Sequence, residues 1–258
     1  MFDNKRILIA TGGTGGHINP ALGTAGYIKE KNPSAEIVFV GTADKMESRL
    51  VPEAGYELRT IEISGFWRSF SLEAIKHNIG TILKLLKSSS QAKKIIKDFK
   101  PDLVIGFGGY VSGPVLRMAA KMGIPTAVHE QNAFPGKTNI ALSRYVDKVM
   151  LTAADAEKYL KCSAPPVVTG LPVREEILTE EKLNARKALG IEPDKTVILS
   201  TGGSLGAQAI NEVMCDVMKE FYGKDIVFVH GYGQNGKWVP DKLRENGINA
   251  EIYLENNR

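Results

Sequence analysis

The chain has 258 residues, 43% of them hydrophobic, enough to fill one large core or two smaller ones. Its uncharged apolar runs fall far short of the roughly 20 residues a membrane-spanning helix needs. The two cysteines, Cys162 and Cys215, fit no CxxC spacing, which argues against a disulfide framework or a redox motif and for a reducing cytosol. The net charge of +4 is uneven: residues 1–161 carry 22 Lys/Arg against 15 Asp/Glu, and residues 162–258 carry 11 against 14. A basic first half suits a membrane face or a phosphorylated ligand, and equally a solvated lysine-rich surface.

The opening Met1 to Arg6 lacks the shape of a secretory signal and runs straight into Ile7-Leu8-Ile9-Ala10, which reads as a buried parallel strand. Gly12-Gly13-Thr14-Gly15-Gly16-His17 follows, then a helix over Ala21 to Lys31. Strand, glycine turn and helix start form a cradle for an anion, because the first amides of the helix are free and glycine lets a ligand approach the backbone. His17 at its mouth supplies an imidazole, the side chain that changes charge nearest neutrality.

Glu36 to Gly41 reads as a strand, Lys45 to Ala54 as a helix and Tyr56 to Ile63 as a third strand. Strands alternating with helices predict a parallel sheet covered on both faces, with ligands beyond the carboxyl ends of the strands. Ser71 to Phe99 is the longest helical pattern, with a break or bend expected at Ser88-Ser89-Ser90. Leu72, Ile75, Ile79, Ile82, Leu83 and Leu86 recur at helical spacing among lysines that include Lys84, Lys87 and Lys93, after the aromatic run Phe66-Trp67-Arg68-Ser69-Phe70. That pattern fits a helix lying on a membrane surface and also a core-facing helix with a basic, solvated back.

Asp102 to Phe107 is the next strand, followed by a second glycine turn, Gly108 to Gly113, and a helix over Val115 to Met122. Pro125 to His129 is a strand ending in the polar cluster His129-Glu130-Gln131-Asn132, and Asp147 to Leu151 is read as the last strand of the first domain. Proline and glycine at 165, 166, 170 and 172 mark a linker, giving domains of residues 1–163 and 164–258. A helix over Thr179 to Leu189 with Thr179 as N-cap leads to a second strand–glycine–helix unit, Thr196 onward with Gly202 to Ala207. Ile226 to His230 and Ala250 to Leu254 are further strands, with a helix near Pro240 to Asn246. This second sheet reads as unfinished.

Several signatures are excluded. Gly136-Lys137-Thr138 lacks the first glycine of a P-loop, since Gln131 stands there. His129-Glu130 has no second histidine at the zinc-protease spacing, and the second strand ends in Gly41-Thr42 rather than the acid that grips an adenosine ribose.

The motifs Gly12 to His17, Gly41 to Asp44, Ile63 to Gly65, Gly108 to Pro114, His129 to Asn132, Pro172 to Arg174 and Gly202 to Gln208, together and in order, resemble the MurG family of bacterial glycosyltransferases. The resemblance implies a GT-B fold, α/β with two Rossmann-like domains. It implies inverting transfer of N-acetylglucosamine from UDP-N-acetylglucosamine to the muramyl 4-hydroxyl of lipid I, without metal or cofactor. The implied setting is the cytoplasmic face of the bacterial membrane, with other cell-wall synthesis proteins as candidate partners and no nucleic acid.

By motif position it implies donor contacts from Thr14, Gly15, Gly16, Asn132, Arg174, Ser204 and Leu254. The turn Gly108, Gly109, Tyr110, Ser112 and Gly113 is then expected to hold the acceptor diphosphate. His17 is the first candidate base and Glu130 the second. Phe66, Trp67, Ile75, Ile79, Lys84 and Lys87 become membrane contacts. Two departures stand out. Gly170-Leu171-Pro172 replaces an asparagine-proline linker, and the family continues past the equivalent of Arg258, so this polypeptide is expected to bind donor weakly and turn over poorly. The competing readings are another GT-B lipid glycosyltransferase and a non-catalytic anion- or membrane-binding module.

Overall fold

The computed structural model describes residues 4–65 and 71–248, and, within the helix Leu72–Phe99, side chains at 73 and from residue 84 onward. Two compact units divide at Leu178/Thr179.

In the first unit the elements run β1 (Arg6–Ala10), α1 (Gly15–Lys31), β2 (Glu36–Gly41), α2 (Glu47–Glu53), β3 (Glu57–Thr60), α3 (Leu72–Phe99), β4 (Leu103–Gly106), α4 (Gly109–Lys121), β5 (Thr126–Glu130), α5 (Lys137–Leu142), β6 (Lys148–Leu151), a short 3-10 turn at Ala154–Tyr159, and β7 (Val167–Val168). Among the described residues these strands form one parallel sheet in the order β3-β2-β1-β4-β5-β6-β7. The order reverses between β1 and β4, so a crevice opens at the carboxyl ends of those two strands.

Alternation along the strands feeds two cores. Leu8, Ala10, Val38, Val40 and Val104 face α3, α4 and α5, while Ile7, Ile9, Ile37, Phe39 and Ile105 pack with α1 residues such as Ile18 and Ala21. Both faces are covered, which is why the strands read as continuous apolar runs. Each large side chain buried this way contributes about 1.5–3 kcal/mol.

The glycine turns are shorter than the sequence suggested. The first turn of α1 is Gly15-Gly16-His17 itself rather than a start at Ala21, and α4 begins at Gly109 rather than Val115. The expected break at Ser88 to Ser90 is absent. The Ser88 and Ser89 hydroxyls each donate to the Leu85 carbonyl (2.9 Å both), so the serines satisfy themselves on the helix they were expected to interrupt. Behind them Ala92, Ile96 and Phe99 are buried, and Lys84, Lys93, Lys94 and Lys97 are exposed.

The boundary expected at 163/164 moves. Val167–Val168 pairs with β6 as a seventh strand, and the chain then packs on α1, where a Cβ on Gly23 would lie 2.8 Å from the Val173 carbonyl carbon. Residues 164–178 therefore belong to the first unit. The helix expected over Thr179 to Leu189 is split into α6 (Glu175–Thr179) and α7 (Lys182–Ala188), and Glu181, not Thr179, is the N-cap of α7.

The second unit continues with β8 (Thr196–Thr201), α8 (Gln208–Glu220), β9 (Ile226–Gly231), a 3-10 turn at Gln234–Gly236 and α9 (Val239–Glu245). β8 and β9 pair in parallel, and Cys215, Met218, Tyr232, Val239, Leu243 and Ile248 form its core. The strand expected at Ala250 to Leu254 lies outside the described residues. Among the described residues no helix is long and apolar enough to cross a membrane.

Candidate active site

Both glycine turns of the first unit lie at the reversal of strand order, one after β1 and one after β4. They touch. Gly109 (φ 73°) lies so close to Gly12 that a Cβ would overlap the Gly12 carbonyl, and a Cβ on Gly108 would stand 2.9 Å from the His17 ring. Two helix N-termini are thus packed side by side with an imidazole between them. The Gly15 and Gly16 amides precede the first hydrogen bond of α1, which runs from His17 N to the Thr14 carbonyl (3.0 Å), so they stay free for an acceptor. Thr14, the N-cap, is exposed and makes no side-chain cap.

Gly109→Ala is expected to cost more than about 2 kcal/mol. A left-handed alanine alone costs about 1–2 kcal/mol, and the Cβ must also push the two turns apart. Thermal or urea unfolding measures it, and a neutral substitution would refute the close packing.

The first turn is knitted from below by a residue that sequence reading passed over. Glu47 is fully buried, and its carboxylate accepts from Gly13 N (2.9 Å), Thr42 N (2.9 Å) and the Thr42 hydroxyl (2.8 Å). It joins the turn after β1 to the turn after β2. The only signal in the sequence was an acid at the start of a helix just after Gly41-Thr42, and its partner amide at Gly13 lies 34 residues away.

The polar cluster after β5 divides by role. Glu130 is buried and accepts four hydrogen bonds, from Asn132 N (2.9 Å), Asn132 Nδ2 (2.9 Å), Gly136 N (3.0 Å) and Asn139 Nδ2 (2.8 Å). A carboxylate so fully engaged anchors the loop that carries Asn132, and the role of second base does not fit this geometry. Asn132 is exposed, its amide nitrogen held by Glu130. Gln131 reaches the other way, with Oε1 3.0 Å from His17 Nδ1 and Nε2 3.1 Å from His129 Nδ1. His129 Nε2 in turn meets the Gly170 carbonyl at 3.0 Å.

Other expected residues fall less centrally. The Ser112 hydroxyl is buried against the Gly108 (2.6 Å) and Ala10 (3.0 Å) carbonyls, tying α4 to β1, so it is not offered to a ligand. Gly113 lies in the second turn of α4, beside Thr138, where amides are used within the helix. Tyr110 is exposed and its ring lies over Gly65. Arg174 is exposed, on the segment that packs against α1. Phe66, Trp67 and Leu254 lie outside the described residues, as do the side chains of Ile75 and Ile79.

In the second unit Gly202 to Ala207 joins β8 to α8, and the Ser204 carbonyl accepts from Gln234 N (3.1 Å). His230 is buried there between the Ser200 hydroxyl (2.8 Å at Nδ1) and Asn211 Oδ1 (3.1 Å at Nε2). Among the described residues no three His, Cys, Asp or Glu side chains converge on a metal site.

Burial pushes the imidazole of His129 below the usual 6.5, against the pull of the Gly170 carbonyl and the Glu130 charge, and burial does the same to His230. The unfolded chain then takes up protons near 6.5 while the folded chain stays neutral. This contribution to stability is complete above that pH and is lost as pH falls toward the folded values, with a slope of at most about 1.4 kcal/mol per pH unit for each histidine. Urea unfolding in steps from about pH 8 to about pH 5.5 should show the decline, and a flat profile would contradict it.

The model of the glycosyltransferase family 28 N-terminal domain matches residues 7–151, which contain both glycine turns, Glu47 and the cluster after β5. The chain belongs to glycosyltransferase family 28. A relative from Ruminiclostridium cellulolyticum, named UDP-N-acetylglucosamine--N-acetylmuramyl-(pentapeptide) pyrophosphoryl-undecaprenol N-acetylglucosamine transferase, is 48% identical over 89% of this chain and 62% of its own length. An identically named protein from Acetivibrio thermocellus is 47% identical over 83% of this chain and 57% of its own. The chain thus spans about three fifths of the curated relatives it matches. The crystal structure of Acinetobacter baumannii MurG superposes with a TM-score of 0.63 at 29% identity, over 98% of this chain and 68% of that one. A UDP-GlcNAc 2-epimerase from Neisseria meningitidis superposes at 0.59 with 16% identity, a likeness of fold alone. The fold is GT-B, each unit built on a Rossmann-like sheet of parallel strands.

Proposed function

We propose that the protein is an inverting glycosyltransferase that moves N-acetylglucosamine from UDP-N-acetylglucosamine to the muramyl 4-hydroxyl of lipid I, giving lipid II. The observation that carries this reading is the seating of His17 between two adjoining helix N-termini. Such a site offers two sets of free amides to phosphate oxygens and, between them, a group able to take a proton. The relatives named for this transfer, 48% and 47% identical, supply the substrate classes.

In this reading His17 Nε2 takes the proton of the acceptor hydroxyl. The oxygen then bonds to the anomeric carbon from the face opposite UDP, and the anomeric carbon–oxygen bond breaks with its electron pair leaving on UDP. The amides of Gly109 and Tyr110 hold the acceptor diphosphate. Thr14, Gly15, Gly16, Asn132, Arg174, Ser204 and Leu254 contact the donor. The first unit takes the lipid-linked acceptor and the second takes the nucleotide. Transfer assays pairing UDP-N-acetylglucosamine, UDP-glucose and UDP-galactose with lipid I and with diacylglycerol test the proposal. Product only from UDP-N-acetylglucosamine and lipid I is expected, and a diacylglycerol product would favour a different GT-B lipid glycosyltransferase.

Attachment to the cytoplasmic face of the membrane through the Phe66 to Lys100 segment belongs to the same proposal. Leu85 and Leu86 are 40% and 68% exposed, beside exposed Lys84 and Lys87, the latter paired with Glu62 at 2.7 Å. Each basic residue near an anionic surface is worth about 1 kcal/mol. Reversing Lys84, Lys87 and Lys93 to glutamate should therefore weaken sedimentation with phosphatidylglycerol vesicles by well over tenfold, and unchanged binding would remove this segment from the interface.

A further inference from the structure

The reaction as proposed uses neither Gln131 nor His129, yet both lie in one hydrogen-bonded line behind His17. Carbonyl oxygens fix the polarity of that line because they can only accept. The Gly170 carbonyl is 3.0 Å from His129 Nε2, so that nitrogen carries the proton and Nδ1 of the same ring is an acceptor. The His129 carbonyl is 3.0 Å from Gln131 Nε2, which identifies this end of the carboxamide as the nitrogen. The same nitrogen donates to His129 Nδ1 at 3.1 Å. Gln131 Oε1 is therefore the end that faces His17 Nδ1 at 3.0 Å, and an amide oxygen accepts only. His17 Nδ1 must carry the proton, which leaves the ring's lone pair on Nε2.

We infer that Gln131 and His129 are positioning residues that lock His17 in its Nδ1–H tautomer, with Nε2 as its sole basic nitrogen. The arrangement has a chemical point. A histidine ring in water can present either nitrogen, and which one is protonated is set by the bond the other makes. Here the choice is made before substrate arrives. Once Nε2 has taken a proton, the Nδ1–H of the resulting imidazolium keeps its bond to the Gln131 carbonyl oxygen, so the ring does not turn during the transfer. The line is anchored at Gly170, where the chain leaves β7, and His129 is held rigidly, buried and tilted against the Phe107 ring (centroids 5.6 Å apart).

The proposal leans on the transfer reading only for the use made of the lone pair, so its primary test needs no turnover. Nitrogen-15 spectra of the histidine rings at about pH 8 should show His17 with a pyrrole-like Nδ1 and a pyridine-like Nε2, and the reverse pattern would overturn the inference. In Gln131→Leu, or in Gln131→Met should the first variant fail to fold, the His17 signals should move toward a mixture of tautomers. An unchanged Nδ1–H pattern would show that Gln131 does not select it. If the transfer reading also holds, either variant should lower kcat at least about tenfold, within the 10²–10⁴ that general-base catalysis supplies, with KM for UDP-N-acetylglucosamine little changed. A fall in kcat/KM through KM alone would indicate a binding role and count against tautomer control. Absence of both transfer and any calorimetric heat with UDP-N-acetylglucosamine, with the expected spectra, would refute the function and leave the positioning intact.

Discussion

Glu47→Ala is expected to lower the stability of the first unit by about 2–6 kcal/mol. The estimate rests on two backbone amides, Gly13 N and Thr42 N, which lose their acceptor inside the protein, at about 1–3 kcal/mol for each orphaned donor. The Thr42 hydroxyl can turn to another partner and is left out of the sum. Glutamine in place of Glu47 should recover only part of the loss, because its amide nitrogen must face one of the donors that the carboxylate accepted. Urea unfolding of both variants measures this. A loss below about 1 kcal/mol in the alanine variant would mean that water replaces the carboxylate freely and that the turn holds its own shape. A destabilised but folded Glu47→Ala protein should also expose the Gly13 and Thr42 amides to hydrogen exchange ahead of the strands beside them.

The frame of this protein is legible because its physics is local. A strand buried on both faces must be apolar at every position, so Ile7 to Ala10 and Leu103 to Ile105 announce themselves, and the glycines that follow mark where helices turn back. What escapes sequence reading is set by partners far apart in the chain. Glu47 looks like one more acid at a helix start until Gly13 is placed beside it. Gln131 sits between two showier residues, and its use depends on His17, 114 positions earlier. Glu130 has the residue type and position of a base, yet its four donors come from the loop after β5 and from Asn139 on α5, whose convergence no spacing rule foretells. Val167–Val168 is too short to register as a strand, and pairing with β6 is what makes it one. At Ser88 to Ser90 the error lay in reading a weak local preference against a helix whose buried face, Ala92, Ile96 and Phe99, decides the matter.

If the proposed transfer is the protein's reaction, His17→Ala lowers kcat by about 10²- to 10⁴-fold, the span of general-base catalysis, with both substrates saturating. The loss should be chemical rather than structural. The ring is half-buried and, among the described residues, its side-chain hydrogen bond is the one to Gln131, so thermal unfolding should shift little beside the fall in rate. The turn it stands on is held by backbone contacts and by Glu47, all of which remain after truncation. The donor's KM should stay within a few-fold, because the free amides of Gly15 and Gly16 are untouched. Glu130→Gln separates the two candidate bases on different grounds. Its damage should appear first as lost stability, since a neutral amide cannot accept from all four of the donors that Glu130 now satisfies. If His17→Ala turns over nearly as fast as the native protein while Glu130→Gln folds normally and is inactive, the base has been assigned to the wrong residue. Glu130 would then have to surrender one of its internal donors at the moment of reaction, a rearrangement that hydrogen exchange at Gly136 would reveal.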